Sequence, residues 1–496
     1  MTIRPRDWFA RLSSYPVMLF VALLGAVFLF GAFRNTIADT DIWWHLRNAD
    51  YLLHTGSLPR TDMFSFTVAG KPWMNSEWLA ELPFLFAWRW MGMRGIFLIT
   101  VVLMQAIMAG VLYLGWQRSG DIKASLLACI LALMMAMVSY GPRTLLFGWL
   151  FFVLELILLY KFHHGTDCLW LLPPLFCLWI NAHGSWMIGI VYLLIFAACG
   201  FVEGAWGWIE STRWSPQQAR KLTAVCATSL LALLVNPFGW RLVAFPFDMA
   251  FVEKVNTVVN QEWQNINFHD LRGRLVFLTL VLFAVASLVR KRRWVLYDLV
   301  FLLLAIYSGV AYLRFVFLLG LVLCPMLAQE LTLFPAYQKQ RDKRMLNAAV
   351  MAGLLVFCIL HFPSEAKLQS DLADGSDGLP AQALPFLHTF QPRGPVLSDV
   401  NWGGYLIWSA PQIPVFADTR GDIFDHYGVL ADYMSIINMR SPLELLNRYG
   451  IRYVFFPSEA PLSYLLRVTP GWKIDYQKGN AVLFERTTNE AAVQGQ

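Results

Sequence analysis

Charge is scarce in this chain. Only 15% of its 496 residues are Asp, Glu, Lys or Arg, where soluble domains carry roughly 25%. With 57% hydrophobic residues alongside, that scarcity excludes both an ordinary soluble globule and a disordered chain. Cysteines are few, at 129, 168, 177, 199, 226, 324 and 358, all within or at the rims of apolar stretches. They show no CxxC spacing and no zinc-finger pattern, so they read as small buried hydrophobes rather than a disulfide framework. A GxGxxG turn and a P-loop are missing, which leaves nucleotide binding without support. The apolar run Tyr15–Phe33 follows Arg4, Arg6 and Arg11 but lacks a small-x-small cleavage site. It is also longer than a signal-peptide core and reads as a retained signal anchor. A net charge of +6 could point to nucleic acid in another chain. Here the basic residues sit in short loops between apolar segments, so membrane topology accounts for them and no nucleic-acid partner is expected.

What the chain has instead is apolar and aromatic: 21 tryptophans, 37 phenylalanines and a succession of long hydrophobic segments. After the first, these fall at about 94–116, 124–140, 144–160, 168–181, 185–202, 222–235, 275–289, 295–312, 315–329 and 345–361. The expected fold is an α-helical polytopic membrane protein of about eleven spans, although several segments fall short of the ~20 residues a perpendicular helix needs. Arg118 and Lys123, Lys161, the Arg213–Arg220–Lys221 group, the Arg290–Arg293 cluster and the Lys339–Arg344 group all fall on alternate loops. The positive-inside rule places these loops and the N-terminus in the cytoplasm. The loops at 34–93 and 236–274, and everything beyond His361, then face the other side. Residues 77–90 read as an aromatic helix lying in the interface or buried within the loop.

Beyond residue 361 glycine, proline and charge rise. Residues 362–394 read as a linker with a short helix, 395–486 as a small extracytoplasmic α/β domain, and 487–496 as a frayed tail. Strand-like runs at 395–398, 414–417, 451–456, 472–476 and 481–485 alternate with helical patterns at 402–409, 425–438, 441–449 and 461–468. The last two strands read as a terminal hairpin.

The stretch Ile37–Trp78 concentrates the candidate chemistry. It holds Asp39, Asp41, His45, Asp62 and Glu77 among tryptophans 43, 44, 73 and 78, at the mouth of the first span. A carboxylate there is costly unless it faces water, a partner or a polar cavity. Asp39 and Asp41 share a face on an extended turn and could then grip a divalent cation, Mg or Mn, with His45 as a further ligand. On a helix they point about 200° apart, and one of them, or Thr40, serves as a helix cap. His45 lies one turn after Asp41 and either orients it or packs among tryptophans. Asp62 reads as a turn former. Glu77 opens the helix that follows, a position favourable for an acid in any case. At outward boundaries, Arg143 in YGPRTLLF and Arg314 in AYLRFVF interrupt apolar sequence where the positive-inside rule asks for no arginine. Phosphate binding and snorkelling to headgroups are the two readings of each. Asn181 and His183 in WINAHGSW, and Glu262 in QEW, are supporting cavity candidates, as is Trp44 for stacking on a sugar or isoprenoid. In the tail, Asp399, Asp418, Arg420 and Asp422 permit either buried salt bridges or acceptor recognition.

Two acids after the first span, then WWHL, GxxP, DxFSF and PWxxxEWL, resemble the integral-membrane glycosyltransferases of the GT-C superfamily. Closest in look are bacterial relatives of the dolichyl-phosphate-mannose-protein mannosyltransferases and aminoarabinose transferases. The likeness covers about 1–330 as architecture. It implies a bacterial inner-membrane enzyme that moves a sugar, with inversion, from a polyprenyl-phosphate donor to an extracytoplasmic lipid, glycan or protein acceptor. Asp39 or Asp41 matches the acidic residue such proteins place after the first span, Glu77 a later acid of the same loop, and Arg314 a basic residue for the lipid phosphate. The chain has Asp-Thr-Asp where the protein mannosyltransferases have adjacent Asp-Glu. The competing readings are a transporter or flippase of a lipid-linked glycan, with polar residues spread through mid-membrane helices, and a scaffold whose tail recruits a partner.

Overall fold

The computed structural model describes residues 11–33, 39–251, 261–332, 335, 337–373 and 378–487, with 249–251 described as backbone only. Expectations for Arg4 and Arg6, for 34–38 at the mouth of the first loop, for 252–260, for Ala336, for 374–377 and for the tail beyond 487 lie outside these residues. The chain separates into two compact units that do not follow its order. One comprises 1–36, 97–243 and 260–363, the other 37–96, 244–259 and 364–496.

The first unit is helical. A helix occupies every one of the eleven apolar segments, but length limits what each can do. Among the described residues five helices are long and apolar enough to cross a membrane: Tyr15–Ala32, Met93–Ser119, Leu145–His163, Leu271–Arg290 and Leu313–Glu330. Arg344–Leu360 makes a sixth if it is counted with Glu365–Ala373, from which it bends by 64°. The expectation of about eleven spans is therefore corrected to five or six. Ile122–Met135, Leu169–Ile180, Trp186–Cys199 and Leu296–Ala311 are apolar but short. At 1.5 Å per residue, Leu172–Ile180 with its 9 residues rises only about 14 Å, and Pro173–Pro174 fix where it starts.

Small residues set the closest approaches in this unit. A Cβ on Gly110 would lie 2.3 Å from Val153 Cγ1, so Met93–Ser119 and Leu145–His163 touch only because that side chain is absent. Helix Val316–Glu330 is buried over nearly its whole length. Phe152 meets Tyr192 edge-on at 4.9 Å, and Tyr192 donates its hydroxyl to the Phe301 carbonyl. A small sheet, β1 (Gly204–Trp206), β2 (Ile209–Ser211) and β3 (Trp294–Val295), joins two loops at the basic end of the helices.

The second unit is built on β4 (Val396–Ser398), β5 (Tyr453–Pro457), β6 (Trp472–Lys478) and β7 (Ala481–Arg486), in the order β4-β5-β7-β6. β4 and β5 are parallel; β5–β7 and β6–β7 are antiparallel, the last pair forming the terminal hairpin. Helices Val400–Ser409, Pro442–Arg448 and Pro461–Val468 fall where the pattern puts them. The single helix expected over 425–438 is instead two, Gly421–His426 and Val429–Ile437, because Gly428 between them adopts φ +75° and ends the first. The run 414–417 is not a strand of the sheet. Val415 forms one parallel bridge with Ser65, exchanging backbone bonds with Phe64 and Phe66 of the acidic loop. That loop is thus part of the sheet domain's fold.

Glycine 404 shows how closely the two are joined. It lies inside helix Val400–Ser409, and a Cβ there would sit 2.6 Å from the Thr40 carbonyl oxygen and 3.2 Å from Trp44. Backbone cannot yield as a flexible side chain can, so Gly404→Ala is expected to displace the 39–41 turn. Overpacking of this kind costs roughly 1–3 kcal/mol. A lowered thermal midpoint with a larger loss of any activity that depends on Asp39 or Asp41 is the expected result, and an unchanged midpoint and activity would contradict it.

Candidate active site

The acidic turn comes first. Asp39 is 7% exposed, and its Oδ1 accepts the backbone N–H of Asp41 at 2.9 Å. This Asx-type turn delivers the chain into helix Ile42–Thr55. Asp41 stands at the N-cap position in αR conformation, and its side chain makes no capping hydrogen bond. Asp39 thus holds the turn, and Asp41 places a half-buried carboxylate at the helix N-terminus without a capping bond. The first turn's unpaired N–H groups favour negative charge at that point.

Behind the turn, one helical turn on, lies a buried polar cluster. Helix Ile42–Thr55 presents His45 and Asn48; helix Trp78–Met91 presents Glu81, with Glu77 at its N-cap. His45 Nδ1 is 2.9 Å from Glu81 Oε1 and its Nε2 is 3.6 Å from Glu77 Oε2. Glu81 is fully buried and also accepts from Asn75 at 2.8 Å and from Asn48 at 3.4 Å. Burial pulls the His45 pKa down, but the hydrogen bond and charge of Glu81, then the charges of Glu77 and Asp41, outweigh it and the net direction is upward. His45 is thus tied to two glutamates rather than serving Asp41 directly.

Glu81 was not singled out from sequence, because a lone acid in WLAELPF reads as the polar edge of an interfacial helix. The available signal was spacing: Glu77 and Glu81 are i,i+4, and His45 and Asn48 are i,i+3, so both pairs share a face. A histidine whose folded pKa is raised contributes stability that is complete below its ordinary value of 6.5 and fades as pH climbs through the raised value. The thermal midpoint of the protein is therefore expected to fall across that window, and His45→Gln to flatten the fall. Parallel profiles for the two proteins would contradict the assignment.

The proposed cation set fares differently. Asp39 Oδ1 accepts a backbone N–H, His45 Nδ1 is bonded to Glu81, and His45 Nε2 stands 3.6 Å from Glu77. Among the described residues no group of three His, Cys, Asp or Glu side chains is placed to hold a metal. Asp39, Asp41 and His45 do not form such a group among the described residues.

Trp44 is buried, donating Nε1 to Thr419 Oγ1 at 3.1 Å and meeting Trp73 edge-on. Asp62 does form a turn, accepting the Ser65 N–H and hydroxyl. Its other oxygen accepts from Arg420 at 2.6 Å, and Arg420 also binds Asp418 through Nε at 2.8 Å and Nη2 at 2.6 Å. The tail motif thus lies in a buried ion cluster with the loop, Arg420 packing 4.7 Å from the Trp73 ring centre.

In the helical unit the outward candidates form their own group. Arg143 is ion-paired with Glu262. The next residue, Trp263, lies under the Arg314 guanidinium at 4.4 Å. Backbone bonds from Leu313 to Gln264 and from Ile266 to Val310 fix the 261–266 segment against the 313–315 turn. Arg143, Glu262 and Arg314 are therefore brought together. The Asn181 amide donates to the carbonyls of Cys177 and Val235 and closes the end of Leu172–Ile180. His183 Nδ1 accepts the Ser185 N–H at 2.9 Å, which orders the turn between two helices.

No family profile matches the chain, and no curated protein matches it in sequence. Solved structures do match. The oligosaccharyltransferase of Archaeoglobus fulgidus, tethered with an acceptor peptide containing the NVT sequon, superposes with TM-score 0.54 at 11% identity, over 97% of this chain and 75% of that one. ArnT of Cupriavidus metallidurans bound to undecaprenyl phosphate gives 0.55 at 12% identity, over 95% and 98%. Its apo form gives 0.50 at 13%, over 94% and 97%. These structural neighbours are members of the GT-C superfamily, and at such identities the likeness is one of fold. The chain shares the polytopic helical membrane fold of these solved structures, with a small C-terminal β-sheet domain.

Proposed function

We propose that the protein is an inverting glycosyltransferase of a bacterial inner membrane, taking a sugar from a polyprenyl-phosphate donor to an extracytoplasmic acceptor. The fold likeness supports the class, and one observation supports the residue assignment: the Asp39 Oδ1 accepts the Asp41 N–H, and Asp41 stands half-buried at the start of helix Ile42–Thr55, where the helix end favours a negative charge. In the reaction a nucleophilic atom of the acceptor attacks the anomeric carbon while the bond from that carbon to the phosphate oxygen breaks. The acceptor's proton passes to Asp41 and the polyprenyl phosphate departs with the bonding electrons. A carboxylate at that position also stabilises the positive charge that develops on the sugar. His45, Glu77 and Glu81 act behind Asp41 as positioning residues. In the helical unit, Arg314 and Arg143 are assigned to phosphate on the chemistry of the guanidinium, which binds phosphate oxygens in a fork and neutralises departing charge.

The test is direct. Purified protein is given polyprenyl-phosphate sugars radiolabelled in the sugar, together with a membrane extract as acceptor source. Label is expected to leave the lipid for a new product of inverted anomeric configuration. Passage of the intact lipid-linked sugar across a proteoliposome membrane without bond cleavage would overturn the reading in favour of a transporter.

A further inference from the structure

At the basic end of the helical unit, far along the chain from every residue discussed as catalytic, lies a cavity of about 210 Å³ whose lining includes Arg292, Arg293, Trp294, Asp298, Gln329 and Glu330. Its charges are unevenly satisfied. Asp298 is taken by Arg118 in a bidentate pair at 2.7 and 2.9 Å. Arg293 is 64% exposed and reaches Glu210 only at 3.8 Å. Arg292 Nε stands 3.9 Å from Glu330 Oε1. Glu330 is 6% exposed, and its second oxygen, Oε2, is buried without a hydrogen-bond partner. A buried carboxylate oxygen left so is costly. The cavity thus offers two guanidinium groups for an anion and, beside them, an acceptor that lacks a donor.

The surroundings indicate where such a ligand comes from. Helix Leu271–Arg290, which ends at the basic cluster, leaves Val285, Leu288 and Val289 exposed at 53, 56 and 75%. Trp206 at the end of β1 and Trp208 in the β1–β2 turn stand half exposed, and Trp294 of β3 donates its backbone N–H to the Trp208 carbonyl. An uncovered apolar helix face, half-exposed tryptophans and a run of four basic residues together describe a headgroup-level membrane boundary.

We infer that this cavity binds the zwitterionic headgroup of an aminophospholipid, with its phosphate on Arg292 and Arg293 and its primary ammonium on Glu330, the acyl chains lying along Leu271–Arg290. Phosphatidylcholine carries the same charges but has no N–H to give to Glu330 Oε2. Phosphatidylglycerol has the phosphate and no cation. The headgroup chemistry is shared with free phosphoethanolamine, so both sources enter the test.

Full-length protein in detergent is titrated with phosphatidylethanolamine, phosphatidylcholine and phosphatidylglycerol, and retained lipid is counted by native mass spectrometry. Soluble phosphoethanolamine is assayed separately by its effect on the thermal midpoint. The expected result is one tightly retained phosphatidylethanolamine, preferred at least tenfold over phosphatidylcholine. Glu330→Gln is expected to bring that preference within twofold while leaving phosphatidylglycerol unchanged. Arg293→Gln, at a position 64% exposed, is expected to weaken both phosphatidylethanolamine and phosphatidylglycerol several-fold. Equal retention of the ethanolamine and choline lipids by the unaltered protein, or an ethanolamine preference that survives Glu330→Gln, would overturn the site. Stabilisation by soluble phosphoethanolamine with no lipid preference would overturn the membrane source.

Discussion

Asp41→Asn is expected to lower sugar transfer by about 10²–10⁴-fold, the usual contribution of a positioned general base, while costing no more than about 1 kcal/mol of stability. The two halves of that expectation come from separate observations. The substitution is isosteric, and Asp41 contributes no capping bond to helix Ile42–Thr55, so the helix start loses only the favourable charge at its N-terminus, about 0.3–1 kcal/mol. What the side chain loses is the capacity to take a proton. Asp39→Asn is the matched control: asparagine keeps the Oδ1 that accepts the Asp41 N–H at 2.9 Å, so the turn survives and transfer is expected to stay within about tenfold. The double variant is then expected to resemble Asp41→Asn alone. Initial rates with labelled donor, measured beside thermal midpoints, separate the cases. Full transfer by Asp41→Asn, or a larger loss from Asp39→Asn than from Asp41→Asn, would remove Asp41 from the role and return the base to another acid of the loop.

This division of labour marks the boundary of what sequence could say. Two acids, a histidine and a later glutamate within forty residues of one another were legible as a cluster, because the chain places them there by proximity alone. That Asp39 holds the turn was not legible, since it depends on one backbone hydrogen bond. Glu81 escaped for a different reason. It is buried and accepts from Asn48 and Asn75, and the only signal of that was the shared helix face of each pair, which does not say that the two faces meet. The sheet domain was readable almost strand by strand, as its apolar runs and turn residues are local. The exception, 414–417, has the composition of a strand but finds its partner at Ser65, some 350 positions earlier. The number of spans went astray on length: hydropathy finds every apolar helix, but not where proline and polar turns cut each one short.

Arg420→Met is expected to destabilise the sheet-containing unit by roughly 3–5 kcal/mol, the cost of removing one partner from a buried ionic cluster. Arg420 is 3% exposed, and its two carboxylate partners, Asp62 and Asp418, have side chains that are fully buried. Methionine fills a comparable volume against Trp73 and Phe64, whose rings lie 4.7 and 5.1 Å from the guanidinium, so packing is largely kept. The two carboxylates are then left with only the bonds they make elsewhere, such as those from Ser65 to Asp62. Because burial and the two carboxylates act oppositely on Arg420, with the carboxylates prevailing and its pKa raised further, the cation cannot relieve the cluster by losing its proton. The triple change Arg420→Met, Asp62→Asn, Asp418→Asn removes both stranded charges and is expected to recover much of the loss, as replacement of a whole buried ion cluster often does. Limited proteolysis and thermal unfolding of the three proteins measure this. The loop 61–73 is expected to be cleaved first in Arg420→Met, since Arg420 is what ties Asp62 to the tail. If the single variant melts with the unaltered protein, the cluster contributes nothing net to stability. Its retention would then have to be explained by the position it gives the loop that carries Asp39 and Asp41, which transfer rates of the same variant would report.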